Sequence, residues 1–188
     1  MSFPPILLAL LVSLNIAVLI SPMFNFRWYW PALSLLLLSL PIMASLQFFA
    51  GYPLRVIVAN GTSFLLNCSG INVTALGATL EWEGQQIAVD APCSGLNMLW
   101  TGLFLSSLLC CLSKFSSQKF FVASCLSVLL IIVGNIFRAT SLFYLENSSI
   151  DLPAFAHGGI GVLVFVLTCG FICFTIEKLE RMPWQKSI

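Results

Sequence analysis

A cysteine with the surroundings of a nucleophile stands at the start of a long apolar run. Cys93 lies in the segment VDAPCSGLNMLW, residues 89–100, between Pro92 and Gly95. This spacing favours a tight turn into the first turn of a helix. The unpaired N–H groups and the dipole at a helix N-terminus stabilise a thiolate, which is the reactive form of cysteine. The structural alternative is a disulfide with Cys68, so the segment predicts either a nucleophile or a cross-link.

Two other residues have side chains that could assist a thiol. His157, the single histidine of the chain, lies in FAHGGIGVL, and imidazole has the pKa that suits proton transfer near neutrality. Arg138 lies in IIVGNIFRATSLFYL, where the apolar run continues beyond it, and ionisable groups at such depth in a membrane are usually functional. The alternatives are a surface or packed role for His157 and, for Arg138, snorkelling or an ion pair with Glu146 or Asp151.

Together these three side chains predict acyl-transfer chemistry. A thiol needs a base to become a good nucleophile. An acyl-transfer transition state needs a cationic or N–H donor for its developing oxyanion. Cys93, His157 and Arg138 supply one group for each task, as in a sortase-type cysteine transpeptidase. One histidine with scattered cysteines offers too few ligands for a metal site, so no metal and no cofactor is expected.

The composition predicts that these residues belong to a membrane protein. The chain of 188 residues is 59% hydrophobic and 8% charged, with a mean hydropathy of +1.00, whereas soluble domains carry about 25% charged residues. A net charge of +1 leaves no basic stripe for phosphates, so nucleic acid is not an expected partner. The absence of a CxxC pair argues against a redox pair or a structural zinc site. Most of the seven cysteines fall inside apolar runs: Cys110, Cys111, Cys125, Cys169 and Cys173.

The elements that must position the site are mainly transmembrane helices. A helix needs about 20 apolar residues to cross a bilayer. The sequence predicts an all-α polytopic membrane protein, a single membrane domain over residues 1–188. About five segments meet or approach this length: about 4–20, 31–50, 95–112, 120–144 and 156–176. The first has no basic n-region and no cleavage site, which predicts a retained helix and not a signal peptide.

The segment between the second and third predicted spans has a different pattern. Residues 52–92 begin with apolar residues at helical spacing, which predicts an interfacial helix or a short re-entrant or packed one. Alternating residues from Ile71 to Ala75, then a WEGQQ turn and QIAVD, predict a short β-hairpin. Two strands alone are marginal in water, so the hairpin is expected to pack on the membrane domain or the interfacial helix.

The basic residues predict the orientation of the chain in the inner (plasma) membrane. Six of the eight basic residues fall on the cytoplasmic side if the N-terminus is outside and the C-terminus inside: Arg27, Lys114, Lys119, Lys178, Arg181 and Lys186. Five acids are then outside: Glu81, Glu83, Asp90, Glu146 and Asp151. With this topology Cys93, Arg138 and His157 are all expected at the outer face.

The three motifs resemble those of the exosortase/archaeosortase family, prokaryotic multi-pass enzymes that process proteins with short C-terminal sorting signals such as PEP-CTERM. APCSGLNML is similar to the family's cysteine motif, although Pro92 stands where alanine often precedes the cysteine. NIFR, residues 135–138, resembles its N-x-x-R-like motif. HGGIG, residues 157–161, resembles its histidine before a glycine-bearing helix. The resemblance covers about residues 50–176, and the chain is shorter than many members, which carry additional N-terminal helices.

The resemblance implies a mechanism and a set of partners. Cys93 would attack the carbonyl of a substrate's sorting motif, and His157 would take the thiol proton and return it to the leaving amine. Arg138 would stabilise the oxyanion or the thiolate. An amine or hydroxyl acceptor, or water, would resolve the thioester, while the substrate's C-terminal transmembrane helix docks in the lipid bilayer. Support for the site is expected from Ser94, Gly95, Asn97 and Asn135.

Two other interpretations stay open. In the first, the chain is a small non-enzymatic membrane protein, a transporter subunit or assembly factor, in which Cys93 is inert or bonded to Cys68. A free thiolate at the outer face would favour the enzyme over this interpretation. In the second, Ser94 is the nucleophile of a serine hydrolase, but the chain lacks a G-x-S-x-G motif around it.

Overall fold

A computed structural model of the protein describes residues 29–40, 43–89, 95–147 and 155–183. In these ranges the chain forms five helices and one three-stranded sheet, which confirms the predicted helical class. In chain order these are α1 Trp30–Leu38, α2 Met43–Cys68, β1 Thr74–Leu76, β2 Thr79–Trp82, β3 Gln85–Ala88, α3 Leu96–Leu112, α4 Ser117–Glu146 and α5 Phe155–Arg181. The predicted first span, residues 4–20, lies outside the described residues.

Two of the described helices are long and apolar enough to cross a membrane. They cover Ser117–Glu146 and Gly158–Arg181, and α3 is a shorter apolar helix of 17 residues. These helices are consistent with the predicted helical membrane protein. The described residues contain two spans by this measure, where the sequence predicted about five in the whole chain.

The break between the second predicted span and the interfacial helix lies earlier than expected. The sequence predicted a span over 31–50 and a separate helix from 52, but α1 ends at Leu38 and α2 runs unbroken from Met43 to Cys68. Pro41 explains the earlier break, because the residue before a proline is disfavoured in the helical conformation. Pro53 lies inside α2 without ending it. The predicted boundary at residues 50–52 was therefore wrong.

The longest helix, α4, is the centre of the fold, because α1, α2, α3 and α5 all contact it. Small residues allow these helices to approach closely, as is common in membrane proteins. A Cβ on Gly102 of α3 would lie 2.6 Å from Ile131 of α4, and glycines also mark the contacts of α4 with its other neighbours: Gly61 of α2 against Ile136, and Gly134 against Thr168 of α5. A buried bond from the Ser127 hydroxyl to the Ser106 hydroxyl, 2.9 Å, links α4 to α3.

The outer segment forms a three-stranded antiparallel sheet in the order β1-β2-β3, one strand more than the predicted hairpin. Gly77 at φ +62° begins a two-residue connection from β1 to β2 that the alternation did not reveal. The β2–β3 connection is the predicted one, with Glu83 and Gly84 both at positive φ, as a type I′ turn requires.

One face of this sheet packs on the helices. Its apolar side chains join Val58 and Leu66 of α2 and Phe143 of α4 in one buried cluster, and the Trp82 and Phe143 rings meet edge to face at 5.4 Å. The opposite face carries the intervening residues, such as Thr74 and Gln86, which are exposed. The sheet is therefore fixed to the end of α4 that carries Glu146.

Other contacts gather at the opposite end of α4. The Lys119 ammonium donates to the carbonyls of Leu179 (3.1 Å) and Met182 (3.0 Å) at the end of α5. The Tyr29 hydroxyl donates to the Cys111 carbonyl at the end of α3 (3.2 Å). Lysine beside the C-terminal carbonyls of a helix complements its dipole. The two ends are about 36 Å apart, at 1.5 Å per residue between Lys119 and Phe143.

Candidate active site

The segment that carries Cys93 enters α3 through Gly95, the N-cap of the helix. Gly95 has φ +74° and ψ 6°, a left-handed conformation that is unfavourable for residues with a side chain. Its carbonyl accepts the first helical bond from the Leu99 N–H, 2.8 Å. A Cβ on Gly95 would lie 2.5 Å from Cγ and Nδ2 of Asn135. Both the backbone conformation and the lack of space therefore require glycine at this position.

Asn135 of α4 is buried beneath this helix start. Its side chain is 2% exposed, and it is one of few polar residues in the interior of the described helices. Arg138 follows three residues later, so the two side chains lie on the same face of α4. The Asn135–Gly95 contact therefore places this polar face of α4 against the entrance to α3.

Arg138 connects α4 to α5. Its side chain is half-buried, and a Cβ on Gly161 would lie 3.2 Å from Nε, 3.5 Å from Nη2 and 3.6 Å from Cζ. The guanidinium therefore lies against the backbone of α5 at Gly161. His157 is four residues earlier on the same helix, about 6 Å along its axis and on the same face.

These contacts bring parts of all three predicted motifs to one place. Gly95 stands two residues after Cys93, Asn135 and Arg138 form the polar face of α4, and Gly161 stands one helical turn after His157. Cys93 and Ser94 themselves lie outside the described residues, and His157 is described only by its place on α5.

Two further residues named in the sequence analysis, Asn97 and Cys68, are exposed. Asn97 is exposed on the first turn of α3, while its carbonyl accepts a bond from the Thr101 hydroxyl. Cys68 is an exposed free thiol at the end of α2. The thiol of Cys68 is therefore accessible to labelling reagents.

The glycines of HGGIG differ in their surroundings. Gly158 and Gly159 are exposed, with no described atom within 4 Å of a Cβ at either position. Gly161 is the glycine that Arg138 approaches. It lies four residues after His157, and residues at this spacing share one face of a helix.

Sequence reasoning missed the part of α2 that borders the site. Leu54, Ile57 and Val58 line a narrow crevice of about 10 Å³ that extends to Gly95 and Asn135. This is room for about one water molecule. The i, i+3, i+4 spacing of these residues is the signal that one face of α2 packs inward.

The chemistry available to this cluster is that of a cation, Arg138, one helical turn along α4 from the asparagine that contacts the N-cap of α3. Such a site stabilises a negative charge strongly, because the local dielectric is low. Among the described residues, no group of three His, Cys, Asp or Glu side chains is close enough to hold a metal ion.

Comparison with known proteins gives the family. The model of the family described as transmembrane exosortase (Exosortase_EpsH) matches residues 1–174 of the chain. No curated protein matches the chain significantly, and neither does any solved structure. The matched range includes the cysteine, N-x-x-R and histidine motifs and every described element of the site. The chain belongs to the transmembrane exosortase family.

Proposed function

We propose that the protein is a membrane-embedded cysteine protease and transpeptidase that cleaves PEP-CTERM-like C-terminal sorting signals of exported proteins. One observation carries the proposal: the contacts Gly95–Asn135 and Arg138–Gly161 join the start of α3, which follows Cys93, to the first turns of α5, which contain His157, through one polar face of α4. A shared site is expected if the three motifs act together in catalysis, whereas a purely structural role for each motif does not require their proximity.

The first step is acylation of the enzyme. The Cys93 thiol gives its proton to the His157 imidazole, and the thiolate sulfur forms a bond to the carbonyl carbon of the scissile peptide. The carbon–nitrogen bond then breaks, and the leaving amine takes the proton from the imidazolium. The product is a thioester between Cys93 and the exported protein.

The second step transfers the acyl group. An amine or hydroxyl of an acceptor attacks the thioester, with His157 as the base, and the sulfur leaves as the thiolate. Water in place of the acceptor gives hydrolysis. The same residues therefore serve protease and transpeptidase activity, and access of the acceptor decides between them.

Arg138 and the start of α3 supply the electrostatic part of the mechanism. The tetrahedral intermediate carries a negative oxygen, which the guanidinium and the N–H groups at the start of α3 stabilise. Asn135 supports this arrangement because it fills the space under Gly95 and fixes the approach of α3 to α4. The site lies at the outer face of the plasma membrane, where the substrate's transmembrane helix holds its sorting signal.

Substrate processing in cells tests the proposal. The reporter is an epitope-tagged protein from the same genome that ends in a sorting signal with a transmembrane helix, and its size is followed on a gel. Wild type is expected to shorten the reporter, and Cys93→Ala and Cys93→Ser are expected to leave it at full length. Cys125→Ser, at an exposed position on α4, is the matched control and should behave as wild type.

The test requires that all variants accumulate equally in the membrane. If Cys93→Ala and Cys93→Ser shorten the reporter as wild type does, the cysteine mechanism is wrong. The non-enzymatic interpretation then gains weight.

A further inference from the structure

Strand β3 has an edge that no described element covers. Its one described neighbour is β2. The pairs Trp82–Gln85 and Leu80–Ile87 flank the turn in register, and the Val89 N–H donates to the Ala78 carbonyl at 2.9 Å. In an antiparallel ladder the residues that bond to the partner strand alternate. The backbone N–H and C=O groups of Gln86 and Ala88 therefore point away from β2.

The opposite edge of the sheet is closed by α2. Val73, just before β1, has its backbone bonded to the Asn67 side chain, which donates to the carbonyl at 2.9 Å and accepts from the N–H at 3.0 Å. The Ser63 hydroxyl donates to the same carbonyl, 2.7 Å. Helix α2 thus takes the place of a neighbouring strand there, and the two edges of this small sheet differ.

The open edge leads along the chain to the site. Val89 follows β3 and is buried, and Gly95, in contact with Asn135, stands six residues later. Six residues span at most about 20 Å. Cys93 is four residues after Val89, so the nucleophile lies within about 14 Å of the end of this edge.

We propose that the sorting segment of the substrate binds in extended conformation along β3 as a fourth strand. This inference rests on the proposed function and names how that site holds its substrate. The donors and acceptors of Gln86 and Ala88 match those of any extended peptide, which is the basis of peptide binding by strand addition. Main-chain bonds of this kind hold the scissile segment in an extended conformation and leave its side chains free to contact the enzyme, which provides specificity.

A substrate peptide fits the open edge of β3 because of its backbone chemistry and the position of the edge close to Cys93 in the chain. An extended peptide next to a cysteine protease site satisfies the backbone groups of the edge and presents its own carbonyl to the thiol. A second copy of the chain paired edge to edge would satisfy the same groups, but it would block the approach to Cys93. Crosslinking from position 86 distinguishes a bound substrate peptide from a second copy of the enzyme.

Proline substitution tests the backbone bonds. Ala88→Pro removes one outward N–H and leaves the bonds to β2 intact, and proline is tolerated on edge strands. The same epitope-tagged reporter should be processed about five- to tenfold more slowly, since one main-chain bond to the peptide is lost. Ala75→Pro is the matched control, because the β1–β2 register directs the Ala75 N–H away from β2 as well. It should stay within about twofold of wild type.

The outcomes distinguish this inference from the proposed function. Processing by Ala88→Pro at the wild-type rate overturns strand addition while the cysteine mechanism stands. Equal losses in Ala88→Pro and Ala75→Pro also overturn it, because the effect is then a general one on the sheet. If Cys93→Ala processes the reporter normally, the proposed function fails and this inference fails with it.

Photo-crosslinking gives a second measurement that does not depend on the proline variants. Thr74, Glu81 and Gln86 form one row across the sheet, so Thr74 and Gln86 share a face and lie about 10 Å apart on opposite edges. In the Cys93→Ala protein, p-benzoylphenylalanine at position 86 should capture the reporter, and at position 74 it should not. Capture of a second copy of the enzyme from position 86, or no capture of the reporter, overturns the proposal.

Discussion

Two independent constraints require glycine at position 95, two residues after Cys93. Its φ of +74° excludes a side chain by conformation, and Asn135 excludes one by occupying the space where a Cβ would lie. Asn135 is itself buried and short, so it has little freedom to move aside. A methyl group at this position must therefore displace the start of α3 or the polar face of α4.

Gly95→Ala is expected to lower both stability and processing of the reporter. The left-handed conformation alone costs about 1–2 kcal/mol for alanine. A shift of the segment that carries the nucleophile should slow processing roughly tenfold or more, which corresponds to about 1.4 kcal/mol in the barrier. Melting temperature in detergent and the rate of reporter shortening measure the two effects.

Gly170→Ala is the control for this change. Gly170 is exposed on α5, and no described atom lies within 4 Å of a Cβ there. Alanine should be neutral or slightly stabilising at that position, because glycine is a poor helix residue. A Gly95→Ala protein that matches wild type in both measurements would show that Asn135 does not fix the start of α3.

The same residues show how much of the site is predictable from sequence. Residue types and motif order predicted a shared site for the segments around Cys93, Arg138 and His157. The particular pairs, Asn135 under Gly95 and Arg138 against Gly161, depend on the rotation of each helix about its axis. That rotation is set by packing between helices, which a single sequence does not specify.

At the level of elements, long apolar runs were the most predictable. The bounds predicted for the last three spans lie within five residues of α3, α4 and α5, because an apolar run long enough for a bilayer has few alternatives. The effect of the two prolines, Pro41 and Pro53, was harder to predict. Only Pro41 coincides with a break between helices, whereas α2 continues past Pro53.

The side chain of Asn67 on α2 makes two of the hydrogen bonds that hold the sheet to this helix. Asn67→Ala removes two bonds to the backbone of Val73, which is 1% exposed; the carbonyl keeps the bond from the Ser63 hydroxyl, but the N–H loses its Asn67 acceptor. Unsatisfied buried groups cost about 1–3 kcal/mol. The loss should loosen the sheet, and limited proteolysis should cut between residues 69 and 89 faster than in wild type.

Asn60→Ala provides the comparison on the same helix. The Asn60 side chain is exposed and bonds only to the carbonyl of Val56 in its own helix, as far as the described residues show. Its removal should leave the proteolytic pattern unchanged. Equal protection of the sheet in Asn67→Ala and Asn60→Ala would show that the apolar cluster around Leu80 and Phe143 holds the sheet without the Asn67 bonds.

On the scale of the whole molecule, the two ends have different chemistry. One end carries Lys119 with the carbonyl end of α5 and Tyr29 with that of α3. The other carries the sheet, the start of α3 and the polar face of α4. The positive-inside rule predicts that the Lys119 end is cytoplasmic. The site is then outside, where exported proteins arrive.

Thiol labelling in intact cells tests this orientation with positions that the structure shows to be exposed. Cys68 marks the sheet end, and Ser116→Cys marks the Lys119 end in a chain whose native cysteines are replaced. A membrane-impermeant maleimide should label a chain with Cys68 alone in intact cells. The chain with Ser116→Cys alone should be labelled only after permeabilisation. The reverse pattern would place the start of α3 and Arg138 in the cytoplasm, and a role in processing exported proteins would then be untenable, because the nucleophile and its substrate would be on opposite sides of the bilayer.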